Sequence, residues 1–127
     1  MNKYFIVTAA AAAALGFVSV ASAAPAMVGN SAKGKVLTDA HGMTLYTFAK
    51  DKKGMSACNG GCAANWPPLM AKAGEKGGKG YSTIKRADGH MQWAYKGHPL
   101  YTWKNDHKPG DITGDGFLNG AWKIAKP

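Results

Sequence analysis

Two aspartates occupy the same place in two similar stretches of the chain, and a glycoside hydrolase uses such a pair of carboxylates for catalysis. The two hexapeptides contain Tyr46, Phe48 and Asp51 in the first copy and Tyr101, Trp103 and Asp106 in the second. Catalysis needs the two carboxyl groups within about 10 Å of each other. Alternatively, each aspartate accepts hydrogen bonds from the turn that follows, or from a Tyr or Trp of the other copy. We favour this structural role, which leaves no catalytic residue, and keep a small hydrolase as an alternative.

Two cysteines, Cys58 and Cys62, flank the tripeptide Asn-Gly-Gly. In an exported chain with no other cysteine, a disulfide is the expected state. A metal-ligand pair is the alternative. Redox catalysis and haem attachment are disfavoured, because their motifs place two residues between the cysteines and no histidine follows Cys62.

Two pairs of histidine and methionine lie next to turn glycines. They are His41 with Met43 and His90 with Met91. Imidazole and thioether are ligands that copper accepts, so a periplasmic copper or soft-metal protein is a second functional hypothesis. Against it, histidines beside turns are usually solvated, and methionine commonly fills irregular cores. We therefore expect no cofactor, with copper as the exception to test.

An internal repeat must position these residues. Residues 42–51 align with residues 97–106 at an offset of 55, and Trp66 aligns with Trp122 one residue out of that register. Two copies of one unit predict two halves packed about a pseudo-twofold axis rather than a solenoid, which needs at least three units. We expect one domain over residues 24–127, with repeats at about 33–70 and 81–125.

Each copy has the pattern of a β-strand. Leu45 and Thr47 alternate with Tyr46 and Phe48, and β-branched and aromatic residues at period two suit a half-buried strand. Glycine and proline interrupt any long helical pattern. The sequence predicts a mainly β fold of two pseudo-symmetric antiparallel halves. One short helix is expected near Cys62–Trp66, ended by Pro67-Pro68.

The alternation leaves the role of the motif aromatics open. Tyr46 and Phe48 share one face of the predicted strand, and Leu45 lies on the other. The rings form a binding platform if the leucine faces the core. They are themselves the core if the two halves pack through them, which is the interpretation we favour.

The duplicated Tyr-x-(Phe/Trp)-x-x-Asp motif resembles that of a bacterial secreted-repeat family described as predicted lipoproteins. The resemblance extends to the segment Cys58-x-x-x-Cys62-Ala-x-x-Trp66-Pro-Pro-Leu and to Lys108-Pro-Gly-Asp near the end. It implies secretion but no established reaction. The chain has no lipobox cysteine, so the resemblance does not extend to a lipid anchor.

The first residues predict export. Lys3 precedes an uncharged apolar run, and Ala21-Ser22-Ala23 fits the signal-peptidase site, so residues 1–23 are predicted to be a cleaved signal peptide. The net charge of +9 arises almost entirely from scattered lysines, and we favour solubility as its role. If the charge selects a partner, it suits anionic envelope components better than nucleic acid. We expect a periplasmic or secreted, non-enzymatic protein that binds a partner or associates with the envelope.

Overall fold

A computed structural model describes residues 25–127. The predicted signal peptide, residues 1–23, lies outside the described residues. Between residues 25 and 127, no helix is long and apolar enough to cross a membrane.

The described chain is built of short strands and two very short helices, consistent with its many glycines. The strands are β1 (Met27–Ser31), β2 (Gly34–Thr38), β3 (Tyr46–Phe48), β4 (Met70–Ala71), β5 (Tyr81–Lys85), β6 (Met91–Tyr95), β7 (His98–Pro99) and β8 (Trp122–Ile124). Helix α1 (Gly61–Asn65) follows β3, and α2 (Phe117–Gly120) precedes β8. All strand pairs are antiparallel, so the predicted mainly β fold with antiparallel halves is confirmed.

Each repeat begins with a hairpin, β1–β2 in the first and β5–β6 in the second. Each repeat then gives its last strand to the other. Strand β8, from the second repeat, pairs with β3 of the first. Strand β4, from the first repeat, pairs with β6 of the second. The two repeats are therefore interlocked.

The backbone around two leucines shows the exchange in detail. In the first half, Ala125 N–H donates to the carbonyl of Leu45 at 2.8 Å, and the Ala125 carbonyl accepts from Leu37 N–H at 2.9 Å. In the second half, Leu69 takes the place of Ala125. Its N–H donates to Leu100 at 2.9 Å and its carbonyl accepts from Trp93 at 2.8 Å. Each repeat thus supplies the segment that completes the other.

The core has two parts, one on each side of the motif strands. One is a mainly aromatic cluster that includes Tyr46, Tyr101 and Trp122. The other is aliphatic and includes Leu37, Leu45, Leu100 and Ala125. Both Leu45, just before β3, and Tyr46 are fully buried, so the chain is covered on both sides where β3 begins. The rings are core, and the predicted alternative of an aromatic platform is wrong.

The structure differs from the prediction in two details. A second short helix, α2, is present in addition to the one near Cys62–Trp66. In addition, the second copy of the motif strand does not form a ladder like β3. Tyr101 makes single bridges to Tyr46 and Pro68, whereas β3 pairs along its length with β8. The cause is Pro67-Pro68, which stand where the other half has Lys123 and Ile124, because proline has no N–H to donate.

Candidate functional site

The pseudo-twofold axis passes between the two motif tyrosines. The Tyr46 N–H donates to the Tyr101 carbonyl at 2.7 Å, and the Tyr101 N–H donates to the Tyr46 carbonyl at 3.0 Å. Such a reciprocal pair of bonds is the closely spaced unit of an antiparallel ladder. The two copies of the motif therefore meet at their first residues.

The side chains of the motif also cross between the repeats. The Tyr46 hydroxyl donates to Oδ2 of Asp106, and the Tyr101 hydroxyl donates to Oδ2 of Asp51, each at 2.7 Å. Each tyrosine thus binds the aspartate of the other copy. We call these two hydrogen bonds the crossed Tyr–Asp bonds.

The second oxygen of each aspartate fixes the turn that follows it. Oδ1 of Asp51 accepts the Ala57 N–H at 2.7 Å. Oδ1 of Asp106 accepts the Thr113 N–H at 2.9 Å and the Thr113 hydroxyl at 2.6 Å. These contacts are the structural alternative that the sequence left open. No contact of the two carboxylates favours the paired-aspartate hydrolase.

The remaining aromatic residues of the motif, Phe48 and Trp103, form the two ends of a stack of four aromatic rings. In the middle, the pseudo-equivalent Trp66 and Trp122 stack with centroids 3.8 Å apart and an interplanar angle of 1°. Phe48 stacks on Trp122 at 4.1 Å, and Trp103 stacks on Trp66 at 4.0 Å. Rings from both repeats alternate in this stack, so it joins the halves as the crossed Tyr–Asp bonds do.

The two motif tyrosines meet the edges of this stack. Tyr46 makes an edge contact with Trp66 at 5.3 Å, and Tyr101 makes the matching contact with Trp122 at 5.1 Å. Both tyrosines are fully buried. A ligand could reach them only by opening the core, and the motif therefore serves to hold the repeats together.

Burial changes the pKa values of the groups that form the crossed Tyr–Asp bonds. It raises the pKa of Tyr46 and of Tyr101 far above the usual value, and the facing carboxylates raise both further. Desolvation also raises the pKa of Asp51, against the opposing effect of its hydrogen bonds from Tyr101 and Ala57. The hydroxyls accordingly stay protonated as donors at neutral pH.

The pair around Asp51 differs from its counterpart by a buried guanidinium. Arg86 is only 5 % exposed. It donates to Ser56 Oγ at 3.1 Å, and Ser56 lies 2.6 Å from the Tyr101 hydroxyl. Because the tyrosine proton points to Asp51, the serine donates to the tyrosine. The sequence showed Arg86 only as a lone arginine among lysines, and its burial was not predicted.

Arg86 also binds the backbone of the segment that carries the disulfide. Cys58 and Cys62 are joined, with Cα atoms 5.2 Å apart. The Arg86 guanidinium donates to the Cys58 carbonyl at 2.6 Å and to Gln92 Oε1 at 2.8 Å. The cysteine pair thus holds the turn that precedes α1 and Trp66.

The four predicted metal ligands lie at turns of different sheets. Oδ1 of Asp39 accepts the N–H groups of His41 and Met43 at 2.8 and 3.0 Å, in the turn that follows β2. His90 precedes Met91 at the β5–β6 turn, and its Nδ1 lies 3.2 Å from Asp88. Within residues 25–127, no three His, Cys, Asp or Glu side chains cluster as a metal site.

Charge is distributed very unevenly between the surface and the interior. Every lysine from residue 25 onward is exposed. Of the seven acids in the sequence, by contrast, only Glu75 and Asp88 are exposed. The other five are Asp39, Asp51, Asp106, Asp111 and Asp115, and each accepts hydrogen bonds within the fold. The outer surface is therefore more basic than the net charge indicates.

Comparison with known proteins gives one result, and it confirms the predicted family. The model of the Lipoprotein_15 family, described as a secreted repeat of unknown function, matches residues 27–70 and again residues 82–126. No curated protein and no solved structure is significantly similar to the chain.

Proposed function

We propose that this chain, which belongs to the secreted repeat family of unknown function, is a non-enzymatic protein that binds anionic surfaces of the cell envelope. One observation carries the proposal: every described lysine is exposed to solvent, whereas five of the seven acids are at least partly buried and accept hydrogen bonds within the fold. In the motif, which is the other candidate for a site, every residue that defines it is buried except Asp51, which is partly exposed. Function is therefore assigned to the surface.

The lysines are largely free to act on a partner. Among residues 25–127, only Lys33 and Lys108 form ion pairs with a carboxylate. A lysine close to an anionic membrane contributes about 1 kcal/mol of attraction, so even a subset facing one surface gives useful affinity. The attraction falls off within about 10 Å at moderate salt, and binding should therefore weaken steeply as salt is added.

The same proposal includes the compartment. The predicted signal peptide would release a protein that begins near Ala24, in the periplasm or the medium. The family description as a secreted repeat supports export. Anionic lipids and envelope polymers are the most abundant acidic surfaces that such a protein meets.

Sedimentation with lipid vesicles tests this function. The mature protein is mixed with vesicles of phosphatidylglycerol and phosphatidylcholine, or of phosphatidylcholine alone. We expect it to sediment with the first kind only, to be released by salt, and to be displaced by soluble polyphosphate. Equal binding to both kinds, or no binding to the anionic vesicles at low salt, would refute the proposal.

A soft-metal site at His41 and Met43 is a second candidate. The observation in its favour is that one carboxylate oxygen, of Asp39, fixes both residues in the same turn. Native mass spectrometry of the mature protein titrated with Cu(I) tests it. A stoichiometric adduct that His41→Ala/Met43→Ala removes and His107→Ala retains supports the site. An unchanged apo mass refutes it.

A further inference from the structure

We propose that the turn Gly116–Gly120, which contains the irregular helix α2, is a membrane-binding tip that inserts Phe117 and Leu118 into the interface of an anionic bilayer. Lysines beside it bind the lipid headgroups. This inference rests on the proposed binding to anionic surfaces and narrows the partner to a lipid bilayer.

The tip exposes apolar side chains that the fold does not need to expose. Leu118 is 59 % exposed and the neighbouring Phe117 is 44 % exposed. Phe117 touches the aromatic stack, with its ring 5.0 Å from Trp103 and 5.8 Å from Trp66. The inner side of the tip thus packs against the aromatic stack, and its outer side faces solvent.

The backbone of the tip is strained. Leu118 and Asn119 have φ angles of 55° and 56°, in the left-handed region. Leucine rarely adopts this conformation, and a glycine or asparagine would avoid most of the cost. A leucine that is 59 % exposed gains little from packing to offset this cost. Strain of this kind is found where a site must present a particular side chain.

Backbone hydrogen bonds hold the tip in this shape. The Gly116 N–H donates to the Trp122 carbonyl at 2.8 Å, and the Gly120 N–H donates to Gly116 at 2.9 Å. The Ala121 N–H donates to Leu118 at 3.1 Å. Phe117 and Leu118 are therefore held in an exposed position before the protein meets a membrane. Binding then does not have to pay the entropy of ordering this segment.

A basic groove begins at the foot of the tip. Gly120 lies in its wall together with Thr47, His98 and Lys123. Beyond the shared residues Thr47 and His98, the groove continues past two further lysines, Lys96 and Lys126. Positive charge next to an exposed apolar tip is the combination by which peripheral proteins bind anionic membranes.

The one acid in the groove, Asp51, is outnumbered by the three lysines. The positive charge of the buried Arg86 also acts on the Asp51 carboxylate. The two exposed acids, Glu75 and Asp88, belong to the 72–80 loop and to the β5–β6 turn, and neither lines the groove. The lysines of the groove thus match the phosphate headgroups of a bilayer, and the apolar tip matches the layer beneath them.

The substitution Leu118→Asn separates this function from stability. Asparagine tolerates the left-handed backbone, so the melting temperature should stay the same or rise. Binding to phosphatidylglycerol vesicles should weaken about tenfold, because the inserted apolar side chain is lost. Met27→Asn is the matched control, since Met27 is 56 % exposed in β1, outside the groove. It should bind like the unmodified protein.

A second pair of variants tests the groove. Lys123→Gln should weaken vesicle binding and lower its salt dependence, whereas Lys85→Gln, at an exposed lysine of β5, should change neither appreciably. Both residues lie in strands, and each variant removes one charge.

The outcomes separate the two proposals. If the unmodified protein does not bind anionic vesicles, the proposed function fails and this inference fails with it. If it binds and Leu118→Asn binds equally well, the membrane tip is wrong while the binding of anionic surfaces stands. In that case the exposed tip would point instead to a protein partner.

Discussion

The Tyr46 hydroxyl donates a hydrogen bond to Oδ2 of Asp106, 60 residues further along the chain. The equivalent bond in the other half joins the Tyr101 hydroxyl to Asp51. Neither copy of the motif is complete alone, because each supplies the donor for the other's acceptor. The crossed hydrogen bonds explain why each copy of the motif has both a tyrosine and an aspartate. A catalytic role of the carboxylates is not needed to explain it.

The interlocked repeats should not fold separately. We expect fragments 25–75 and 76–127 to be unfolded alone, because each lacks the last strand that the other repeat supplies. Mixed, they should regain the circular dichroism of the intact protein, since the cut falls in the exposed 72–80 loop. Cooperative thermal unfolding of either fragment alone would contradict strand exchange.

Alkaline pH should unfold the protein through its buried tyrosines. Burial raises the pKa of Tyr46 and of Tyr101 in the folded state, whereas in the unfolded chain tyrosine has its usual pKa of about 10. The protonated hydroxyls therefore stabilise the fold fully at any pH below about 10. Above that pH, each tyrosine should lower the free energy of unfolding by about 1.4 kcal/mol per pH unit.

Tyrosinate absorbance and circular dichroism, followed together, test this pH dependence. The two buried tyrosines, Tyr46 and Tyr101, should ionise only as the fold is lost. Ionisation of every tyrosine in a still-folded protein would contradict the enclosed hydroxyls.

Gly114 should tolerate no side chain. A Cβ there would lie 2.7 Å from Cη2 of Trp66 and 3.0 Å from the Trp103 ring. We expect Gly114→Ala to lower the free energy of unfolding by about 1–3 kcal/mol, because the two rings can make room for the methyl group only by disturbing their stack. Gly78→Ala, where nothing lies within 4 Å, is the control and should be nearly neutral. Chemical denaturation of both variants provides the comparison.

The sequence predicted the fold class and the two repeats because their signals are local or self-similar. Period-two alternation marks a strand such as β3, and the match of residues 42–51 to 97–106 marks the duplication. The disulfide followed from the presence of only two cysteines in an exported chain.

The exchange of strands could not be predicted in the same way. Nothing in the local pattern of β8 distinguishes a partner in its own repeat from β3 in the other, because strand pairing depends on contacts distant in sequence. Arg86 was missed for a related reason. Its burial depends on acceptors from Ser56, Cys58 and Gln92, which converge only in the folded chain.

The tip and its groove were also outside the reach of sequence patterns. Leu118 is one apolar residue in a glycine-rich stretch, and exposed leucines are common on protein surfaces. Its left-handed backbone and the nearby lysines distinguish it, and both are features of the fold.

The most direct test of the structural role of the motif is a double-mutant cycle on Tyr46 and Asp106. Free energies of unfolding are measured for Tyr46→Phe, Asp106→Asn and the double variant, with Tyr81→Phe in β5, outside the motif and the groove, as the control. We predict a coupling energy of about 1–3 kcal/mol and unchanged binding to anionic vesicles by each folded variant. Additive effects, or loss of vesicle binding at unchanged stability, would contradict the account and make the motif a binding site.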